Sequence, residues 1–284
     1  LPRLPLTAHH MSERFRFSLQ RRHRRRSLAG RLPLSPQMLI HGVAALWGLV
    51  LLVYLWRGTP LLVPMLAALA AGTTDQALRV HPAARFRGLT ATLWYLFVPT
   101  LYAAGVALFL RDISHGVWNV PATAIAALLL SLSINAEYVA VDAAPDTYPN
   151  ARFILSLVSY LTAFAIFTVV STSDLPLPVA TLTVAATSLL LSLDILRELE
   201  VQTGTVLAYG GATAVVIAEV RWAVYYLGLP DLLAGGLLLV TFYELTGLMQ
   251  SYLSGHFDRG TVREFAVVGT LSLLIIAGFT VWSR

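Results

Sequence analysis

The chain has 284 residues, of which 57% are hydrophobic and only 12% are charged, and its formal net charge is +5. A soluble domain carries about 25% charged and about 45–50% apolar residues, so this composition excludes a water-soluble globule and predicts a protein that crosses a membrane several times. The absence of cysteine excludes disulfides and thiolate metal sites. All 20 basic residues are arginines, which excludes a retinal Schiff base, a P-loop and pyridoxal phosphate chemistry, because each of these needs a lysine amine.

Residues 1–36 form a basic segment that we expect to lie in the cytoplasm. Its central arginines lie about 15 residues before the first apolar stretch, a position that favours a role in fixing the orientation of the first helix. A juxtamembrane cluster of this kind also attracts anionic lipid head groups. Docking of a soluble partner is the alternative, and nucleic-acid binding is not expected. The head-group contacts are expected from Arg21, Arg22, Arg24, Arg25 and Arg26.

Nine apolar stretches follow, and each is close to the ~20 residues that a helix needs to cross the hydrocarbon core. The sequence therefore predicts an all-α, polytopic membrane helix bundle over residues 37–284. The second stretch is the weakest because it is short and opens with Pro60, and without it the count is eight. The predicted spans are 37–56, 60–77, 86–110, 117–139, 150–171, 177–197, 203–227, 231–253 and 262–282.

The arginines favour nine helices over eight. With nine helices and the amino terminus inside, seven arginines fall on inner loops and three on outer loops or the carboxyl end, as the positive-inside rule requires. Omitting residues 60–77 would invert every later loop. We therefore expect a plasma-membrane protein with a cytoplasmic amino terminus and an external carboxyl terminus. The inner arginines are Arg79, Arg85, Arg87, Arg152, Arg197, Arg259 and Arg263, and the outer ones are Arg57, Arg111 and Arg284.

An internal repeat organises these stretches. Three segments run from a leucine to an acid nine positions later, namely Leu66–Asp75, Leu128–Glu137 and Leu189–Glu198. Two of the following loops share a Pro-x-Ala-Arg-Phe pattern, at His81–Phe86 and Tyr148–Phe153. The pattern predicts one leading helix followed by four parallel two-helix hairpins, the fourth being a looser copy.

Each hairpin places an acid at the inner end of its first helix and an arginine near the start of its second. Both charges oppose the helix dipoles, so pairing across the turn makes them tolerable. We expect Glu137 to pair with Arg152 in this way. The repeated charges form either structural clasps or a ring around a cytoplasmic opening. They are Asp75, Arg85, Glu137, Arg152, Asp194, Arg197 and Glu198.

Three ionisable residues fall at membrane depth, where such a group is a functional-site hypothesis by default. Glu219 and Arg221 lie in the seventh stretch and Glu244 in the eighth. Glu219 and Arg221 are two positions apart and point to different sides of the helix, so they do not pair with each other along it. We expect Arg221 to pair with Glu244 or with Glu219. The trio forms a structural clasp, a proton or ion site, or part of an enzyme site.

Two resemblances bear on function. Nine helices with acids at the inner ends of helices two and six resemble the UbiA-type polyprenyl transferases, in which two aspartate-rich motifs bind Mg²⁺-diphosphate. The segment Asp194–Glu198, followed by Thr203 and Gly210, is similar to the second motif, but the first fails because Asp75 stands alone. Separately, Asp75–Pro82 resembles a stretch of a bacterial multi-spanning family of unknown function, which implies no activity.

The leading functional hypothesis is a non-catalytic scaffold, assembly factor or accessory subunit, since no complete catalytic motif is present. The alternatives are a small-solute or proton-coupled transporter that uses the trio, and a lipid- or prenyl-modifying enzyme at the cytoplasmic face. No cofactor is assigned and no metal site is expected. The expected partners are membrane lipids and either a membrane protein or a second copy of the chain.

The topology can be tested with single cysteines, because the natural chain has none. A cysteine near residue 146 should react with an impermeant thiol reagent only after the membrane is opened, because nine helices place this loop inside. Labelling of that position in intact cells would contradict the nine-helix topology.

Overall fold

The computed structural model describes residues 36–82, 90–141, 146–197, 199, 202–255 and 257–282. Over these residues the fold is all-α, with nine helices and two short 3₁₀ turns. The basic segment, including Arg21 to Arg26, lies almost entirely outside the described residues. The helices are α1 (Pro36–Arg57), α2 (Leu62–Val80), α3 (Leu93–Ile113), α4 (Asn119–Ala140), α5 (Tyr148–Thr172), α6 (Leu177–Leu196), α7 (Thr203–Leu227), α8 (Asp231–Leu253) and α9 (Arg259–Trp282).

Eight of these helices are long and apolar enough to cross a membrane, which fits a multi-pass membrane protein. The exception is α2, because its second half carries Thr73, Thr74, Asp75 and Arg79. The all-α fold and its helices are therefore confirmed. The predicted span at residues 60–77, the weakest of the nine, corresponds to α2, the helix that is not apolar enough.

Contacts between helix ends show that α2 nevertheless runs from one side of the bundle to the other. At the start of α2, Arg111 near the end of α3 stacks on Tyr54 near the end of α1, 5.3 Å from the ring centroid. Near the end of α2, Asp75 accepts a hydrogen bond from Thr92, just before α3. Nineteen residues span about 28 Å, close to the thickness of the hydrocarbon core. Polarity therefore does not prevent α2 from running antiparallel to its neighbours.

We call the side where α2, α4, α6 and α8 end the charged end, and the other side the opposite end. The carboxyl-terminal part of α8 also lies at the charged end, since Leu253 packs near Val206 at the start of α7. At the opposite end, Thr172 at the end of α5 donates a hydrogen bond to Asp112 at the end of α3. Helix direction thus alternates along the chain.

The core lies around α5 and α6, which are the most enclosed of the apolar helices. Helix α5 packs against α3, α4, α6 and α8, whereas α9 packs against α8 and is otherwise exposed. Every predicted hairpin is a packed pair, but α3–α4, α5–α6 and α7–α8 pack as well. Packing therefore does not single out the hairpins, and the repeat stays a prediction.

A glycine permits a close helix approach between α5 and α8. A Cβ on Gly235 would lie 2.9 Å from both the backbone nitrogen and the Cα of Thr168. Those atoms cannot rotate away, unlike the end of a flexible side chain. Small residues let transmembrane helices approach this closely, and van der Waals packing then holds them together.

We expect Gly235→Ala to lower the thermal stability of the protein in detergent by about 1–3 kcal/mol, because the methyl group forces α5 and α8 apart. Gly236→Ala is the matched control, since a Cβ there meets nothing within 4 Å. Thermal unfolding of both variants measures the effect. Equal stability of the two variants would contradict the close α5–α8 contact.

Candidate functional site

A buried ion-pair network lies at the charged end, and we call it the Arg197 cluster; its members are Glu137, Asp194, Arg152 and Arg197. The Nη2 atom of Arg197 lies 2.7 Å from Oε2 of Glu137 and 3.0 Å from Oδ1 of Asp194. The two carboxylate side chains are 0% and 1% exposed. The contact with Glu137 is a hydrogen bond, whereas the contact with Asp194 is an ion pair without hydrogen-bond alignment.

Two further contacts extend the Arg197 cluster across helices. Arg152, at the start of α5, donates from Nη2 to the backbone carbonyl of Asp194 at 3.0 Å. The guanidinium of Arg197 stacks on the ring of Tyr95 in α3 at 4.3 Å. Burial lowers the pKa of Arg197, but the neighbouring carboxylates of Asp194 and Glu137 raise it above the ordinary value of arginine. Arg197 is therefore a permanent cation that joins α3, α4 and α6.

Contacts of the repeated charges also join different hairpins. Glu137 is paired with Arg197, 60 positions away, whereas Arg152 of its own hairpin bonds to the α6 backbone. Asp75 binds Arg79 one turn later, at 2.6 Å, and also accepts from Thr92. Arg85 and Glu198 lie outside the described residues. The repeated charges thus meet by helix packing as well as by sequence position, and the role of the pattern stays a prediction.

The intramembrane trio does not assemble. Arg221 lies on the buried face of α7, whereas Glu219 is exposed on the outward face. Glu244 turns towards α9, where a Cβ on Gly269 would lie 3.4 Å from its Oε1 atom. Within the described residues no ion pair joins the three, and the role of the trio stays a prediction. The three are separated because the rotation of α7 leaves one of its two charges outside the bundle.

A cavity of about 430 Å³ opens beside the Arg197 cluster. Its wall comes mainly from the first turns of α3, α5 and α7, so three helix N-termini converge on one space. None of the residues that precede these helices makes a capping hydrogen bond with its side chain. The lining residues are Ala91, Trp94, Tyr95, Ala140, Tyr148, Arg152, Arg197, Leu199, Thr203 and Val206.

This lining favours an anion. Helix N-termini present backbone N–H groups and the positive ends of the helix dipoles. Two guanidiniums add full positive charges, and Nη1 of Arg197 has no hydrogen-bond partner among the described residues. Glu137 and Asp194 are not among the lining residues, because both are buried behind Arg197. The described lining of the cavity therefore presents positive charge, while the carboxylates of Glu137 and Asp194 lie beneath it.

Sequence reasoning found the two arginines and the two acids but missed Tyr95, Tyr148 and the cavity itself. Aromatic residues near helix ends are common in membrane proteins, so nothing in the sequence marked these two tyrosines. The resemblance to the UbiA-type transferases is not supported. Asp75 is bound by Arg79 and Thr92 and does not line the cavity beside Asp194.

Comparison with known proteins gave one family. Residues 40–279 match the model of a family described as a protein of unknown function (DUF5656). No curated protein and no solved structure matched the chain.

We expect Arg197→Met to destabilise the protein by about 3–5 kcal/mol, because it leaves the buried carboxylate of Glu137 without its cation. Adding Glu137→Gln should recover part of the loss. Arg79→Met is the control, since its pair with Asp75 is partly exposed and exposed ion pairs contribute little to stability. Thermal unfolding in detergent compares the three variants. Equal losses for Arg197→Met and Arg79→Met would contradict a buried, cluster-wide role for Arg197.

Proposed function

Because the chain belongs to the DUF5656 family, whose function is unknown, we propose from the charged-end cavity that it binds the anionic head group of a membrane amphiphile. The role is non-catalytic: the protein is a lipid-binding scaffold, assembly factor or accessory subunit. The observation that carries this proposal is the convergence of three helix N-termini and two arginines on one cavity.

The cavity suits the polar part of an amphiphile. Its volume of about 430 Å³ lies within the usual range for small-molecule sites. It opens where apolar helices end, which is the level of the lipid head groups in a bilayer. Trp94, Tyr95 and Tyr148 supply amphipathic rings of the kind that is enriched at this level. A phosphate or carboxylate would meet the arginines while an attached acyl or prenyl chain stays in the hydrocarbon.

Binding is favoured over catalysis because none of the described residues that line the cavity is a carboxylate or a histidine. The two carboxylates of the Arg197 cluster, Glu137 and Asp194, are buried, and each lies in an ion pair with Arg197. The enzyme alternative needed acids from α2 and α6 in one pocket, and Asp75 is bound elsewhere. The transport alternative needed Glu219, Arg221 and Glu244 to act together, and these three residues are separated.

The proposal includes an orientation. The charged end faces the cytoplasm of the cell, the amino terminus is inside and the carboxyl terminus is outside. The arginine distribution supports this orientation through the positive-inside rule. The basic amino-terminal segment then lies on the same side as the cavity, so both would contact anionic lipids of the inner leaflet.

We expect Thr203→Glu to weaken the binding of phosphatidylglycerol at least tenfold. Thr203 lines the cavity at the first position of α7, so the added carboxylate repels an anion. An acid in the first turn of a helix is compatible with the helix dipole, so the fold should tolerate it. A ligand that binds only the folded state raises its thermal stability, so the melting temperature in detergent with added lipid measures binding.

Thr203→Gln is the matched control, because it changes size without adding charge and should bind like the parent. Phosphatidylcholine, which has no net charge, should stabilise the protein less than phosphatidylglycerol. An equal shift from inorganic phosphate alone would assign the cavity to a free anion. Conversion of the added lipid to a new product, detected by mass spectrometry, would favour the enzyme. Equal stabilisation of the Glu and Gln variants would contradict the proposed site.

A further inference from the structure

A second cavity lies on the outward surface of α6 and α7, and its chemistry differs from that of the charged end. It has a volume of about 650 Å³, and its wall is apolar apart from Glu219 and the indole nitrogen of Trp222. We call it the Glu219 groove. Its lining residues are Leu182, Ala185, Ala214, Val215, Ala218, Glu219 and Trp222.

Glu219 lies at membrane depth on the exposed face of its helix. It precedes Leu227, the last residue of α7, by eight positions, or about 12 Å along the axis. Among the described residues it has no hydrogen bond or ion pair, and Arg221 points to the buried face instead. Ionisable residues within membrane helices almost always face a protein interior or a water-filled space and pair with another group. An outward carboxylate therefore requires a partner from outside the described part of the chain.

The shape of the groove suits a helix. Ala214 and Ala218 are four positions apart, on one face of α7, and Ala185 of α6 lies beside them. Small residues at this spacing let a neighbouring transmembrane backbone approach closely. Leu182, Val215 and Trp222 remain exposed and form higher walls around this floor. The groove thus offers a low apolar floor with one acid at a fixed depth.

We propose that the Glu219 groove docks a transmembrane helix of another protein that carries an arginine or lysine about 12 Å from the membrane boundary at the opposite end. Charge complementarity selects this occupant. A lipid acyl chain would fill the groove but brings no cation or donor to Glu219. A lipid head group carries charge, but it remains at the boundary.

The described part of a second copy offers no exposed arginine at this depth. Among the described residues, the one arginine in the middle of an apolar helix is Arg221, and it is only 6% exposed. Arg57 and Arg111 lie within the last turns of their helices, and Arg259 and Arg263 lie within the first two turns of α9. Two copies meeting through α7 would bring two Glu219 carboxylates together, which is repulsive unless one is protonated. This docking site is independent of the charged-end cavity and of its proposed ligand.

The test uses a designed leucine–alanine transmembrane peptide with one arginine at the depth of Glu219, and the same peptide with leucine at that position. Energy transfer between labelled peptide and labelled protein in phosphatidylcholine vesicles measures their association. The arginine peptide should bind the parent protein at least tenfold more tightly than the leucine peptide. Glu219→Gln should abolish that preference, and Ala218→Phe, which fills the floor of the groove, should weaken both peptides.

Glu244→Gln is the matched control, because it removes a carboxylate in the middle of the neighbouring helix α8 without touching the groove. It should leave the arginine preference unchanged. Equal binding of the two peptides, or an arginine preference that survives Glu219→Gln, would overturn the proposal. Self-association of the protein that is lost in Glu219→Gln would also overturn it, since the occupant would then be a second copy.

Discussion

The charged end of this protein depends on one buried ion pair, between Arg197 and Glu137. The Glu137 side chain is fully buried, so water cannot stabilise its charge, and the guanidinium lies 2.7 Å from it. Removing one member of such a pair leaves the other uncompensated in a medium of low dielectric constant, which is strongly destabilising. The pair therefore constrains how α4 and α6 can pack. Stacking of Arg197 on Tyr95 and the bond from Arg152 to α6 extend this constraint to α3 and α5.

The same constraint explains why the adjacent cavity is positive. Glu137 and Asp194 both lie behind Arg197, so the side of the cluster that faces the cavity is cationic. The alternating direction of the helices brings the starts of α3, α5 and α7 to that side, and their dipoles add to the charge of the arginines. The buried ion-pair network and the basic cavity beside it therefore both follow from the same arrangement of helices.

The charged residues within the apolar helices show how strongly helix rotation determines environment. Glu219 and Arg221 are two positions apart, about 200° around the helix axis, so one faces outwards and the other inwards. Glu244 is a third case, half-exposed and next to α9. Depth alone does not fix which charges pair, because it is only one of three coordinates. The outward-facing Glu219 says more about function than an inward-facing charge does, because an inward-facing charge can be paired within the bundle.

The sequence by itself determined the helices. A backbone in hydrocarbon must satisfy its own hydrogen bonds, so each apolar run of about 20 residues has to be helical. The bounds of α7 and α8 could accordingly be predicted to the residue, and the polar half of α2 accounts for the weakest span. The sequence also indicated that acids and arginines gather where helices end, because such charges are costly deeper in the membrane.

Only the tertiary structure decided which charges meet. Glu137 pairs with Arg197 of another hairpin, because the ends of α4 and α6 meet at the charged end. A buried carboxylate needs a cation within contact distance, and the packing of these two helices places Arg197 there. The convergence of three N-termini on one cavity and the outward turn of Glu219 arise in the same way. The rotation of each helix about its axis, and which helices it packs against, depend on close packing between segments that are distant in sequence. The contact between Gly235 and Thr168 is an example. Hydropathy reports only how apolar each segment is, so it contains no information about that packing.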